Sequence, residues 1–161
     1  MRFDNKGVLI TGATGGIGRE TCFHFAEEGA TVAVTDLDLG LAKRVAAEIE
    51  EKGGTAHAYE LDVTNQQQTD TVINRAAKDM GSLDIIFCNA GIREIAPAHE
   101  LSIEEWKQVI EVNVTGVFIS AQAFAKHCIS QEKSGAIVNT ASTLGVMGST
   151  CLLYTSPSPR D

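Results

Sequence analysis

The sequence has few of the features that would place a protein on nucleic acid, in a membrane or outside the cell. Its 161 residues include four cysteines and four histidines, carry a net charge of −8 and contain no basic cluster. The cysteines include no Cys-x-x-Cys pair and the histidines are scattered, which excludes a disulfide framework and predicts no metal site. Nucleic acid and anionic membranes are not expected as partners. No apolar run approaches transmembrane length and the N-terminus has no signal core, so we expect a cytoplasmic protein.

A glycine-rich turn stands between an apolar run and a helical segment near the start of the chain. Val8–Ile10 is apolar, and the following turn contains Gly12, Gly16 and Gly18 before the sequence resumes as a helix. A chain that turns sharply and lets a pyrophosphate approach its backbone needs residues without a Cβ atom. The helix that follows offers free N–H groups and a positive dipole end. The turn is therefore interpreted as a phosphate-binding site, the alternative being a merely flexible turn.

The rest of the chain alternates apolar runs with segments of helical spacing. This order predicts an α/β fold, a doubly wound parallel sheet of Rossmann-like type with helices on both faces and no second domain. The predicted strands are Gly7–Ile10, Thr31–Thr35, Ala56–Leu61, Leu83–Cys88 and Ala136–Thr140. The predicted helices are Arg19–Glu28, Leu41–Glu51, Asn65–Met80 and a long helix that Ser102 would cap.

Polar residues follow the strands, at the edge of the sheet where ligands of such folds bind. Asp36 lies 18 positions beyond Gly18, near where an acidic residue accepts hydrogen bonds from an adenosine ribose. A carboxylate there would repel a 2′-phosphate, so NAD is the predicted cofactor. Asp36 could instead cap a loop or the next helix, a task that Asp38 could also perform. Asp62 is either a strand-end cap or a contact to the adenine.

Five motifs in this order resemble the short-chain dehydrogenase/reductase family. They are Thr11-Gly12-x-x-x-Gly16-x-Gly18, Asp62-Val63, Asn89-Ala90-Gly91, Asn113 within Val112–Gly116, and Ile137–Ser142. The resemblance runs from about Lys6 to Gly148, and the three-residue gap between the first two glycines is the form that this family uses.

The resemblance implies a role for each motif. The pyrophosphate would be held by Gly12, Gly16, Ile17 and Gly18. The adenosine ribose would be bound by Asp36, with Leu37 beside it, and the adenine would contact Asp62 and Val63. The floor beneath the cofactor would consist of Asn89, Ala90 and Gly91. Ser142 would hydrogen-bond the substrate oxygen, and Asn113 would break its helix locally and hold a water of the proton relay. The alternatives are an ordinary strand-end serine and a buried asparagine whose side chain is satisfied by backbone groups.

The sequence departs from the family pattern near its end. The family places a Tyr-x-x-x-Lys motif after the serine, but Tyr154 is followed four residues later by Ser158. Without the lysine, a phenol with a pKa of about 10 is a poor proton-transfer group, so Tyr154 is not predicted to be catalytic. Residues 151–161 back-translate to a sequence that resembles a transposon-end sequencing adaptor. We therefore expect residues 1–150 to be an incomplete dinucleotide-binding and catalytic domain with five strands, the later strands and helices being absent, and residues 151–161 to be a non-native tail.

Three functions follow from this interpretation. The first is an oxidoreductase that transfers a hydride between NAD(H) and a secondary alcohol or ketone, with this chain the inactive front part of the parent protein. The second is a dinucleotide-binding module without catalysis, and the third is a misfolded fragment with an unprotected sheet edge. The resemblance also implies that the parent forms a homodimer or homotetramer.

Overall fold

Short runs rich in Val, Ile, Ala and Thr form a five-stranded parallel sheet in the computed structural model, which describes residues 1–142. The strands are β1 (Gly7–Thr11), β2 (Thr31–Asp36), β3 (Thr55–Glu60), β4 (Ile85–Cys88) and β5 (Ala136–Asn139). Their order in the sheet is β3-β2-β1-β4-β5. Each neighbouring pair is parallel, which confirms the predicted doubly wound, Rossmann-like sheet.

Within residues 1–142, five α-helices connect the strands. They are α1 (Gly16–Glu27), α2 (Leu39–Glu51), α3 (Gln66–Met80), α4 (Ile103–Ile110) and α5 (Val117–Ser130), and a π-helical turn (Glu111–Gly116) joins α4 to α5. Ser102 caps α4 as predicted, in a reciprocal pair in which its hydroxyl accepts from the N–H of Glu105 and the Glu105 carboxylate accepts from the N–H of Ser102. The predicted long helix is therefore interrupted at the turn that contains Asn113.

The sheet separates two apolar layers because neighbouring residues of β1 point to opposite faces. Val8 and Ile10 belong to a core with the inner sides of α1 and α2, among them Phe23 and Ile49. Leu9 belongs to a second core with α3 and α5, which includes Ile73, Phe124 and Cys128. Helices on both faces leave the two ends of the strands as the polar regions of the sheet.

Several element boundaries differ from the predicted ones by one to three residues, the starts of α1 and β4 among them. Helix α1 begins at Gly16, three residues before the predicted start at Arg19, since glycine opens the helix without steric cost. Strand β4 begins at Ile85 instead of Leu83, and the ladder with β1 starts at the pair Val8 and Ile85. Before this pair, the N–H of Asp84 donates to the carbonyl oxygen of Gly7 at 2.8 Å, and the side chain of Asp84 accepts from the N–H of Gly7 at 3.0 Å.

Strand β5 forms one edge of the described sheet. It pairs only with β4 within residues 1–142, and its residues are exposed, with Val138 50% accessible. The predicted non-native tail, Tyr154 and Ser158 all lie outside the described residues. None of the described helices is both long and apolar enough to cross a bilayer.

Candidate functional site

The turn between β1 and α1 packs so closely that side chains at two of its glycines would collide with backbone. Gly12 has a φ of +60°, and a Cβ atom there would lie 2.8 Å from the Cα of Ala90. A Cβ atom at Gly18 would overlap the carbonyl oxygen of Gly12 and lie 2.9 Å from the Cα of Ala13. These two glycines therefore allow the start of α1 and the loop after β4 to close around the turn.

The N-terminus of α1 is open to an anion. Gly15 precedes the helix and provides no side-chain hydrogen bond to its first turn. A Cβ atom built at Gly16 would meet nothing within 4 Å, so this glycine borders empty space. The first amides of a helix that lack a cap, together with the helix dipole, favour binding of phosphate oxygens. The predicted strand-turn-helix arrangement is therefore present, whereas binding of a pyrophosphate at this turn stays a prediction.

Asn89 fastens the loop after β4 to the glycine turn. Its side-chain Nδ2 donates to the carbonyl oxygens of Thr11 and Gly12, both at 3.1 Å. The backbone N–H groups of Asn89 and Ala90 both donate to the hydroxyl of Thr11 at 3.0 Å. The amide group of Asn89 is therefore used to brace the turn, a role that its predicted place in the floor of the site did not specify.

Asp36, at the end of β2, is held by the glycine turn. Its Oδ2 accepts from the N–H of Thr14 at 3.1 Å and from the hydroxyl of Thr14 at 2.7 Å. The alternative in which Asp36 caps the next helix is wrong, because it is Asp38 whose Oδ1 accepts from the N–H of Leu41 at 3.0 Å as the N-cap of α2. The other alternative, in which Asp36 caps a loop, is present, because Asp36 accepts both hydrogen bonds from Thr14 of the glycine turn; a contact of Asp36 with an adenosine ribose stays a prediction.

Asp62 follows β3 and shapes its own turn. Its Oδ1 accepts from the N–H of Thr64 at 2.9 Å and from the hydroxyl of Thr64 at 2.7 Å. The N–H of Asp62 donates to Oε1 of Gln68 at 2.9 Å. The strand-end cap that the sequence suggested as one alternative is therefore present. A contact of Asp62 with an adenine stays a prediction.

These elements surround one cleft of about 920 Å³ at the carboxyl ends of the strands. Ten of the eleven residues predicted to bind the cofactor line it, namely Gly12, Gly16, Ile17, Asp36, Leu37, Asp62, Val63, Asn89, Ala90 and Gly91. Gly18 is the exception, since it is buried within the turn beneath. Leu37 is 68% exposed at the rim, an apolar side chain placed where a flat apolar group can pack on it. The cleft is large enough for a ligand of dinucleotide size.

The predicted catalytic residues line a neighbouring cavity of about 240 Å³. Asn113 and Ser142 both border it, and it shares Asn89, Ala90 and Gly91 with the larger cleft. Cys88 also lines this cavity, and burial raises the pKa of its thiol to about 11. This thiol is therefore neutral near pH 7 and is not a nucleophile there.

The side chain of Asn113 is satisfied by backbone groups, as the alternative to its predicted role proposed. Its Oδ1 accepts from the N–H of Ile92 and its Nδ2 donates to the carbonyl oxygen of Ile92, both at 2.8 Å. The side chain thus links the π-helical turn to the loop after β4. The predicted break of the helix is present, whereas the water that Asn113 would hold stays a prediction.

Sequence reasoning missed seven residues that line the large cleft, namely Thr14, Gly15, Leu61, Ile92, Arg93, Gln108 and Val112. Arg93 is the single Lys or Arg among the described residues of this lining. Its position directly after Asn89-Ala90-Gly91 and Ile92 is the signal that could have indicated it. Gln108 and Val112 come from α4 and the π-helical turn, whose distance in sequence from the glycine turn gives no such signal. The described residues contain no group of three or more His, Cys, Asp or Glu side chains arranged to hold a metal ion.

Comparison with known proteins agrees with this geometry. A family model described as short chain dehydrogenase matches residues 6–156, a range that extends into the predicted tail. The chain belongs to the short-chain dehydrogenase/reductase family. It is 40% identical to cis-4-hydroxycyclohexanecarboxylate dehydrogenase of Sinomonas cyclohexanicum and 40% identical to cyclohexanol dehydrogenase of Acinetobacter sp. (strain SE19). Both matches cover 91% of this chain, and 58% and 59% of the respective relatives.

A solved structure supports the same assignment. The crystal structure of a NAD⁺-bound xylitol dehydrogenase superposes with a TM-score of 0.89 and is 35% identical, covering 94% of this chain and 58% of that protein. The chain thus spans a little under three fifths of the length of the proteins that it resembles.

Proposed function

We propose that this chain is the cofactor-binding part of an oxidoreductase that transfers a hydride between NAD(H) and a secondary alcohol or ketone. The observation that carries the proposal is the single cleft in which the open N-terminus of α1, Asp36 and the loop after β4 meet. Two of the relatives act on cyclic alcohols, as their names state. A small alcohol or ketone is therefore the substrate class that we propose for the parent protein.

The cleft fits a dinucleotide in charge and in shape. The uncapped start of α1 would bind the pyrophosphate, and the open space beside Gly16 leaves room for its oxygens. Leu37 and Val63 would pack on the adenine, and Asp36 would accept from a ribose hydroxyl. When bound, the nicotinamide would supply or accept the hydride, while the protein positions it and excludes water.

The charge of the ribose end favours NAD(H) over NADP(H). Asp36 and Asp62 are the acidic residues of the lining, and Arg93 is its only described cation. A 2′-phosphate next to Asp36 would place like charges together in a partly buried site, which is unfavourable. Lys107 lines an adjoining cavity of about 560 Å³ that shares Leu37 and Asp62 with the cleft. We propose that Lys107 does not offset the repulsion between Asp36 and a 2′-phosphate, because Asp36 is the residue that would lie next to the ribose.

The residues proposed for the reaction lie beside the nicotinamide end. Ser142 would donate a hydrogen bond to the substrate oxygen, in the cavity that it shares with Asn113. Asn113 would hold a water through the remaining acceptor capacity of its Oδ1, since an amide oxygen can accept two hydrogen bonds. Both proposals place proton-handling groups next to Ala90 and Gly91, the part of the floor that both cavities share.

A dinucleotide-binding module without catalysis is the second candidate. The observation that favours it is the absence of lysine four residues after Tyr154, where Ser158 stands. A tyrosine without a neighbouring cation keeps a pKa of about 10 and transfers protons poorly at neutral pH.

Titration of the 161-residue chain with NADH and NADPH, followed by nicotinamide fluorescence, tests the proposal. We expect saturable binding of NADH, with NADPH at least about tenfold weaker because of Asp36. Oxidation of cyclohexanol with NAD⁺, followed by absorbance, separates the two candidates in a chain to which a C-terminal part with a Tyr-x-x-x-Lys motif has been restored, because both candidates leave the 161-residue chain without turnover. Turnover by the restored chain supports the enzyme, while nucleotide binding without turnover supports the module. No saturable binding of either nucleotide by a folded chain refutes both.

A further inference from the structure

We propose that Thr14 is a positioning residue that fixes the Asp36 carboxylate and thereby sets the preference for NAD(H) over NADP(H). This inference rests on the function proposed above. Thr14 lies in the glycine turn, at one of the positions that the motif leaves open, and it lines the cleft. Its importance comes from contacts with a residue 22 positions away in the sequence.

The two oxygens of the Asp36 carboxylate differ in the hydrogen bonds that they accept. Oδ2 accepts two hydrogen bonds from Thr14, one from its N–H at 3.1 Å and one from its hydroxyl at 2.7 Å. Oδ1 accepts one long hydrogen bond from the N–H of Asp38 at 3.4 Å. Because a carboxylate oxygen accepts about two hydrogen bonds, Oδ2 is filled and Oδ1 keeps an acceptor position. The geometry leaves Oδ1 for a ribose hydroxyl.

Thr14 itself is held rigidly relative to β2. The preceding residue, Ala13, donates its N–H to the carbonyl oxygen of Thr35 at 3.0 Å. The hydroxyl of Thr35 in turn donates to the carbonyl oxygen of Ile10 at 2.8 Å within the core. Consecutive residues of the turn are therefore tied to consecutive residues at the end of β2. The hydroxyl of Thr14 is presented to Asp36 by a fixed backbone, so it can determine the rotamer of that side chain.

The position of the carboxylate decides between the two nucleotides. A ribose 2′-hydroxyl can donate to Oδ1, whereas a 2′-phosphate cannot donate and is repelled. Asp36 is only half-buried, so without the hydroxyl of Thr14 its carboxylate can rotate toward solvent. NADH then loses an acceptor, and NADPH loses a repulsive charge. Loss of the Thr14 hydroxyl should therefore change the ratio of the NADH and NADPH affinities. A general weakening of the turn should lower both affinities and leave their ratio unchanged.

The test compares Thr14→Val with Thr14→Ser in the 161-residue chain. Valine keeps the backbone N–H and the shape of the side chain, while serine keeps the hydroxyl. The dissociation constants of NADH and NADPH are measured by fluorescence titration, with a thermal melt for each variant. We expect Thr14→Val to reduce the preference for NADH about tenfold and Thr14→Ser to stay within about threefold of the parent chain.

Two controls make the test specific. Thr71→Val removes a hydroxyl that donates to the carbonyl oxygen of Gln67 on the exposed side of α3, and it should leave both affinities unchanged. In an Asp36→Ala background, Thr14→Val should change the ratio by less than about twofold, since coupled residues are not additive.

Each outcome distinguishes the inference from the proposed function. If the parent chain prefers NADH and Thr14→Val leaves that preference intact, the inference is wrong while the proposed function stands. An effect of Thr14→Val that is equally large in the Asp36→Ala background also overturns it, because Thr14 would then act without Asp36. If the parent chain binds neither nucleotide, or binds both equally, the proposed NAD(H) preference fails and the inference fails with it.

Discussion

Asp36 lies at the carboxyl ends of the strands and Asp84 at the amino ends, and each accepts hydrogen bonds from a backbone N–H and a nearby hydroxyl. For Asp36 both donors belong to Thr14. For Asp84 they are the N–H of Gly7 at 3.0 Å and the hydroxyl of Ser82 at 2.9 Å. The difference lies in the other oxygen. Oδ1 of Asp84 pairs with Lys6 at 3.0 Å, whereas Oδ1 of Asp36 has only the 3.4 Å contact with Asp38.

This difference separates a structural carboxylate from a binding one. Asp84 joins the starts of β1 and β4, and its charge is balanced by Lys6. Burial raises the pKa of Asp84, but the hydrogen bonds from Gly7, Lys6 and Ser82 outweigh this and hold it below its ordinary value. Asp36 lines the large cleft and no described cation pairs with it. An acceptor that the protein leaves partly unused at a cleft is one that a ligand can use.

The largest effect on stability and on NADH binding should come from adding a side chain to the glycine turn at the carboxyl ends of the strands. In Gly18→Ala the new methyl group would overlap the carbonyl oxygen of Gly12, so the turn must shift. We expect a loss of about 3 kcal/mol in unfolding free energy and at least about 100-fold weaker NADH binding. Urea unfolding and fluorescence titration measure the two quantities.

Gly16→Ala is the matched control for this change. A methyl group there meets nothing within 4 Å of the protein, so stability should be kept. NADH binding should still weaken about tenfold, because the methyl group enters the space for the pyrophosphate. Equal stability and equal affinity in the parent chain and in both alanine variants would show that this turn is not the phosphate site.

Replacing the two aspartates tests the comparison directly. Asp36→Ala should weaken NADH binding about tenfold and reverse part of the discrimination against NADPH, with a smaller loss of unfolding free energy than Asp84→Ala because no ion pair is broken. Asp84→Ala should lower the unfolding free energy by about 1.5 kcal/mol, since three donors lose their acceptor, and leave the nucleotide preference unchanged. Fluorescence titration and urea unfolding of both variants measure the change in nucleotide affinity and the change in unfolding free energy. A shift of nucleotide preference in Asp84→Ala would contradict the assignment of separate roles to the two ends.

The sequence was sufficient for features that depend on local pattern. The apolar runs located β1, β2 and β5 closely. The polar residues that follow β2 and β3 predicted part of the lining of the cleft, namely Asp36 and Asp62. The capping residue Ser102 followed from its position before an acidic first turn. These features were predictable because neighbouring residues determine them.

The remaining features depend on contacts between distant residues. The side chain of Asp84 accepts from the N–H of Gly7, 77 positions away. The side chain of Asn113 bonds the backbone of Ile92, 21 positions away, and no periodicity reports that pairing. No pattern in the sequence indicates that Thr14 bonds Asp36, since the two residues meet only when the turn and β2 are brought together. A single sequence without related sequences contains no signal for such pairs.

A smaller effect is expected where the carboxyl end is braced by Asn113. Asn113→Ala leaves the N–H and carbonyl groups of Ile92 without their partner, so the unfolding free energy should fall by about 1 kcal/mol. NADH binding should weaken about threefold because the loop next to Ile92 lines the cleft. Asn74→Ala removes an amide that donates to the carbonyl oxygen of Asp70 on an exposed helix face, and it should change stability by less than about 0.5 kcal/mol. If Asn113→Ala and Asn74→Ala changed the unfolding free energy equally, Asn113 would not be bracing the loop after β4.

The smallest effect concerns the pH dependence of the amino end of the sheet. Because the pKa of Asp84 is lower in the folded chain than its ordinary value of 3.8, the folded state binds its proton less tightly than the unfolded state. Its contribution to stability is therefore complete above the unfolded pKa and is lost as the pH falls through the folded pKa. Urea unfolding between pH 5 and about pH 2.5 should show stability decreasing more steeply in the parent chain than in Asp84→Asn. If the acid limb were as steep in Asp84→Asn as in the parent chain, the hydrogen bonds and the ion pair of Asp84 would not be stabilising the amino end of the sheet, and the structural role assigned to this carboxylate would be wrong.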